Sequence, residues 1–138
     1  MKKKTEEQIS NNMRRIRNKD SQIEILLRHE LWKRGLYYRK NVKNILGKPD
    51  IAFVGKKIAV FVDSEFWHGY NFNIHKNDFH SHENFWINKI QRNIERDLEV
   101  TIQLRDSGWI VLRFWGNDIK NNLKSCADEI ERVYKERS

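Results

Sequence analysis

Two aspartates, Asp50 and Asp63, bracket a stretch that reads as a β-hairpin, and Glu65 and His68 follow the second. Asp50-Ile-Ala-Phe-Val and Ile58-Ala-Val-Phe-Val-Asp63 are rich in strand-forming residues, with Gly55-Lys56-Lys57 as the turn between them. If that turn closes the pair, Asp50 lies opposite Val62 or Asp63, and both acids emerge at the same end of neighbouring strands. Like charges at such range repel unless a proton or cation sits between them. Mg²⁺, held by one or two carboxylates with water and phosphate oxygens, resolves the repulsion. Either acid alone is an ordinary strand-end residue pointing into water. The combination of Pro49-Asp50, a hairpin, Asp63-Ser-Glu65 and His68 is what points to a metal site.

The elements that must position these residues follow from periodicity. Ile9, Met13 and Ile16 form a helical stripe flanked by Arg14, Arg15 and Arg17. Asp20-Ser21 offers a second helix start, with Ile23, Leu26, Leu27 and Leu31 as its apolar face and Gly35 as its stop. Ser21-Gln-Ile-Glu24 reads as a capping box, in which Glu24 reaches back to the cap N–H. Leu36–Lys40 is a first strand, and the hairpin supplies two more. A helix over Glu83–Ser107 ends at Gly108, Trp109–Trp115 is a fourth strand, and Gly116-Asn117 opens a final helix with Asn117 as its cap. The helix between the third and fourth strands is a crossover, so that strand pair is expected to be parallel. The predicted order is α-α-β-β-β-α-β-α, an α/β fold with a mixed central sheet flanked by helices.

The chain has 138 residues and a formal charge of +8. Residues 1–40 contribute twelve Lys+Arg against five Asp+Glu, whereas the rest contributes fifteen against fourteen. A basic helical segment (about 1–19) on a near-neutral body is suited to a polyanion. Lys89, Arg92, Asn93 and Arg96 share one face of the long helix at three- and four-residue spacing and suit phosphate contact. The lone Cys126 excludes an intramolecular disulfide framework and a multi-cysteine zinc site, and is expected to be inert packing. The longest apolar run, Ile58–Val62, is far too short to span a membrane, and no hydrophobic signal core follows Lys2–Lys4. A single domain over 1–138 in a cytoplasmic protein without membrane contact is the expectation.

Six blocks carry a resemblance. Gly47-Lys-Pro-Asp50, Phe61-Val-Asp-Ser-Glu-Phe-Trp-His68, Asn84–Asp97 and Gly108–Trp115, with Asn12-Met13-Arg14 and Ile23-Glu24 near the start, resemble the very short patch repair (Vsr) endonucleases of the PD-(D/E)xK nuclease superfamily. The resemblance implies a restriction-endonuclease-like fold and a Mg²⁺-dependent enzyme that nicks double-stranded DNA beside a T·G mismatch. It further implies Asp50 as the central metal ligand, Asp63 at a position where better-known members have His, and His68 as an active-site His. Phe66, Trp67 and Trp86 match aromatics wedged into the duplex. Glu24 matches a helix acid tied to the metal site through water, beside its capping reading.

Two departures stand out. Glu65 occupies the place of the superfamily lysine, leaving Lys89 or His68 to take over its work. The structural zinc ligands of the family correspond here to Glu65, Phe72 and Asn117, so no structural zinc is expected and Glu65 is expected to join Asp50 and Asp63 at the metal. The expected function is mismatch-directed nicking by a monomer, with repair or defence proteins as further partners. The alternatives are a restriction or phage-defence endonuclease on matched DNA and a degenerate DNA-binding module.

Overall fold

A 28-residue helix, α1 (Glu6–Lys33), opens the fold and runs straight through Asp20-Ser21. The computed structural model describes residues 6–40, 42–65 and 83–137, and of residues 6–13, 16–20 and 83–86 the backbone alone. Two separate helices were expected here, and the correction has a simple cause. Ile16 and Ile23 are seven residues apart, so both apolar stripes lie in one phase. Extending a helix through Asp and Ser costs a few tenths of a kcal/mol per residue, less than nucleating a second one. Ser21 is therefore a mid-helix residue, and the capping box does not form.

After α1 come β1 (Arg39–Lys40), β2 (Ile51–Phe53) and β3 (Ile58–Asp63), then α2 (Glu83–Asp106), β4 (Ile110–Trp115), α3 (Gly116–Asn121) and α4 (Leu123–Glu136). The four strands form one sheet in the order β1-β2-β3-β4. The first two pairings are antiparallel and β3–β4 is parallel, as the crossover through α2 requires. The architecture is a mixed sheet flanked by helices, as expected. The expected final helix is two helices, because Asn122 leaves the helical region at φ −135°, ψ 47°.

The hairpin register differs from expectation. Ile51 pairs with Val60 and Phe53 with Ile58. Val54–Lys56 form a 3₁₀ turn and Lys57 is left-handed, so four residues connect the strands where Gly55-Lys56-Lys57 implied three. Carried one residue further, this register sets Asp50 across from Phe61, not Val62 or Asp63.

The two faces of the sheet pack differently. Ile51, Phe53, Ile58 and Val60 meet Ile23, Leu27 and Leu31 of α1, Ile119 of α3, and Ala127, Ile130 and Val133 of α4 in the larger core. Ala59, Phe61 and Val111 meet Val100 and Leu104 of α2 in a smaller one. Gly108 ends α2 at φ 88°, where Trp109 N–H reaches back to the Leu104 carbonyl in a Schellman turn. That turn aims β4 back along the sheet.

Candidate active site

Because strand side chains alternate, Asp50 falls on the same face as Ala52, and Asp63 on the same face as Ala59 and Phe61. Both acids thus lie on the α2 side of the sheet despite the shifted register. They line a cleft of about 390 Å³. Its other walls are Glu24 from α1, Gly47 and Lys48 from the β1–β2 connection, Arg113 from β4, and Asn93, Arg96, Asp97 and Val100 from α2.

Asp50 follows the fully buried Pro49, and its Oδ2 accepts the Val62 N–H at 2.7 Å. The carboxylate thereby accepts from β3 in place of a ladder carbonyl, just beyond the last paired residues Ile51 and Val60, which fixes its direction. Asp63 is buried, at 6% exposure, and its Oδ1 accepts Arg113 Nη1 at 2.9 Å. Arg113 is itself held from all sides. Its Nε donates to Thr101 Oγ1 at 2.8 Å and its Nη2 to the Asp97 carbonyl, while the guanidinium lies 4.1 Å over the Phe61 ring. Thr101 in turn donates its hydroxyl to the Asp97 carbonyl. A buried carboxylate needs such a partner, since an unpaired charge there would be strongly disfavoured.

Glu24 lines the cleft and lies 3.7 Å from Arg28 within α1, so the site reading of this acid is compatible with the structure while the cap reading is not. Glu65 is turned elsewhere. Its Oε1 accepts the Asn117 N–H at 2.6 Å, at the start of α3, and it is not among the cleft residues. Asn117 was expected to cap that helix with its own side chain; the carboxylate arriving from the end of β3 does so instead. Of the basic row on α2, Asn93 and Arg96 face the cleft, whereas Lys89 and Arg92 are exposed and outside its lining. Arg14 and Arg15 are exposed on α1. Trp86 is helical, with no side chain described, and Phe66, Trp67 and His68 lie outside the described residues.

Sequence reasoning missed Arg113, Thr101, Asp97 and Lys48. Arg113 carried a readable signal: it is a lone charge in Ile110–Trp115, on the same face as the buried Val111. A cation at such a place demands an anion nearby. Thr101 and Asp97 are ordinary helix residues until β4 is laid against them.

Among the described residues no three His, Cys, Asp or Glu side chains converge as a ready-made metal cage. Two carboxylates on an open cleft suit a hard cation that keeps its waters and takes phosphate oxygens, the habit of Mg²⁺. Zinc favours nitrogen and sulfur donors, and the described residues of the cleft include no His or Cys. Cys126 is buried in the larger core, where burial pushes its thiol pKa up.

A mixed sheet between helices, with paired acids opening onto a cleft beside cationic side chains, defines a restriction-endonuclease-like protein. Residues 1–74 match the family described as DNA mismatch endonuclease Vsr. The chain is 44% identical over 133 residues to the Type II nicking enzyme V.NmeDIP of Neisseria meningitidis serogroup C, covering 96% of this chain and 90% of the relative. It is 45% identical over 121 residues to the Type II nicking enzyme V.HpaIIP of Haemophilus parainfluenzae, covering 88% and 86%. It is 34% identical over 106 residues to the DNA mismatch endonuclease Vsr of Escherichia coli (strain K12), covering 77% and 67%. The chain belongs to the Vsr family of DNA endonucleases. Among the described residues no helix is long and apolar enough to cross a membrane.

Proposed function

We propose that this chain hydrolyses a phosphodiester bond of double-stranded DNA with Mg²⁺, nicking one strand at or near a T·G mismatch. The observation that carries the reading is the meeting of Asp50 and Asp63 on one wall of a cleft whose opposite wall presents Asn93 and Arg96. The names of the relatives, nicking enzymes and a mismatch endonuclease, support it. Asp50 and Asp63 would hold the cation, each with one oxygen already oriented by a hydrogen bond. When bound, Mg²⁺ lowers the pKa of water and offsets charge on the leaving oxygen.

The remaining work falls to the protein. Asn93 and Arg96 receive the phosphate backbone, and Arg14, Arg15, Lys89 and Arg92 extend that contact, so affinity falls steeply with salt. Glu24 orders water at the cleft. Phe66, Trp67 and Trp86 part the stacked bases, which costs least at a mispaired step. His68 moves a proton at the reacting phosphate. Glu65 keeps the start of α3 against the end of β3 and stands outside the metal set. One site per chain suits a monomer that cuts one strand.

The test is nicking of matched and T·G duplexes in Mg²⁺ by the wild type and by Asp50→Ala. Faster nicking of the T·G duplex, and a loss of roughly 10³-fold or more in the variant, is the expected result. Equal nicking of both duplexes would instead indicate a restriction or defence enzyme. A wild type that cuts no DNA with any divalent cation would be a DNA-binding module.

A further inference from the structure

Three cations line the cleft: Lys48, Arg96 and Arg113. Arg113 donates from Nε to Thr101, from Nη1 to Asp63 and from Nη2 to the Asp97 carbonyl, and its charge is offset by the Asp63 carboxylate. Among the described residues no carboxylate is paired with Lys48 or Arg96. Of these two, Lys48 lies only two residues before Asp50. Their Cα atoms are therefore at most about 7 Å apart, within reach of a lysine stem. Lys48 and Lys89 are both exposed, but Lys89, on α2, does not line the cleft.

The backbone at Lys48 is unusual. Its φ is 51°, the left-handed region that residues with side chains avoid. It also precedes Pro49, and a residue before proline is driven toward extended backbone. Lys48 is thus disfavoured there twice, where Gly or Asn would sit more easily. The neighbours hold it in place. Lys48 N–H donates to the Ile45 carbonyl at 2.9 Å, and Pro49 is fully buried. Gly47, at φ 79°, packs so closely on α2 that a Cβ would come within 2.5 Å of Val100 Cγ1. A strained backbone over-determined by its surroundings, with a cation on it and a cleft in front, is the pattern of a side chain placed for a task.

We propose that Lys48 is a catalytic residue, its ammonium resting on a non-bridging oxygen of the phosphate that is cut. It supplies the positive charge that the superfamily draws from the lysine replaced here by Glu65. This assignment rests on the nuclease reading above and deepens it. In the reaction, the water oxygen forms a new P–O bond and the bond to one deoxyribose oxygen breaks. One proton ends on the released hydroxyl and one goes to solvent. Lys48 keeps its proton throughout and offsets the charge that builds on the phosphate in the transition state.

The experiment compares wild type, Lys48→Met, Lys48→Arg, Lys48→Gly and Asp50→Ala. It measures single-turnover nicking of a T·G duplex, duplex affinity by fluorescence anisotropy, and Tm. Lys48→Met is expected to lower the single-turnover rate roughly 10²–10³-fold, the usual loss for one preorganised charge donor. Its duplex Kd should change less than about tenfold, since one phosphate contact among several is removed. Lys48→Arg should recover most of the rate. Lys48→Gly should raise Tm by relieving the left-handed strain, yet lose as much rate as Lys48→Met. A Lys48→Gly variant with higher Tm and wild-type rate would overturn the proposal, reducing the residue to a turn position. A Lys48→Met variant that weakens binding but nicks at the wild-type rate when saturated would overturn it too. If Asp50→Ala is inactive while Lys48→Met is not, only the Lys48 assignment falls. If Asp50→Ala also retains nicking, the cleft is not the active site.

Discussion

On one face of the sheet, Ile51, Phe53, Ile58 and Val60 are covered by α1, α3 and α4, and every one of these strand residues is nearly inaccessible to water. On the other face, covered by α2, the apolar contact is short: Ala59, Phe61 and Val111 against Val100 and Leu104. Beyond Phe61 that layer turns polar, with Asp63, Arg113, Asp97 and Thr101 joined where further core would otherwise be. Two arginine nodes show the same contrast. Arg34, just past the end of α1, joins Glu30 of that helix and Asp128 and Glu131 of α4, and Asp128 is 69% exposed. Arg113 holds Asp63, whose side chain is only 9% exposed. The first node clamps two helices at the rim of the large core. The second orients a carboxylate at a cleft. One face carries stability, and the other exchanges apolar area for an ordered set of charges.

Substitutions on the two faces should separate these roles. Ile58→Ala, at a fully buried position, should destabilise by about 3–4 kcal/mol, against about 1–2 kcal/mol for Val111→Ala on the thinner face. Urea denaturation of both would show it, and equal losses would erase the contrast. Arg113→Met should destabilise by about 2–3 kcal/mol, because Asp63 is left without its cation. Adding Asp63→Asn to that variant should recover at least half of the stability without restoring nicking. No recovery would mean that the ion pair is not the source of the loss.

Arg34→Ala should cost about 1 kcal/mol, less in high salt, with nicking per folded molecule unchanged. A larger fall in nicking than in stability would tie that node to the active site. The smallest effect is alkaline. Burial raises the thiol pKa of Cys126 and the phenol pKa of Tyr38 above their ordinary values. A group with a higher pKa when folded binds its proton more tightly in the folded chain, and its stabilising contribution is complete below its unfolded pKa. For Cys126 that contribution should fade as pH rises past about 8.5. The decline of Tm with pH above that value should be shallower in Cys126→Ala.

Much of the fold was readable because it rests on local periodicity. The apolar stripe from Glu83 onward, the Gly108 stop and the run Ile58–Val62 each announced an element, and the crossover made β3–β4 parallel. The fusion of two expected helices into α1 depended on phase across Asp20-Ser21, a feature visible in the residues but outweighed by their capping chemistry. The hairpin register escaped because a turn closed by a 3₁₀ step and a left-handed lysine is not dictated by Gly55. Among the site residues, Asp50 and Asp63 stood out by type and spacing. Glu65 has the same type and nearly the same spacing, yet its carboxylate binds the Asn117 amide.

Taken alone, the residue order determined the family motifs, the alternation of side chains within each strand, and the basic bias of the first forty residues. These are properties of a chain read a few residues at a time, set by strand and helix periods and by charge. Only the tertiary structure decided which acids are held by which partners. Arg113 meets Asp63, and Glu65 meets Asn117, across fifty-odd positions of sequence. Lys48, unremarked beside its proline, lines the cleft next to the point where Gly47 packs on α2. Such pairings depend on the packing of distant segments against one another, and no local period encodes them.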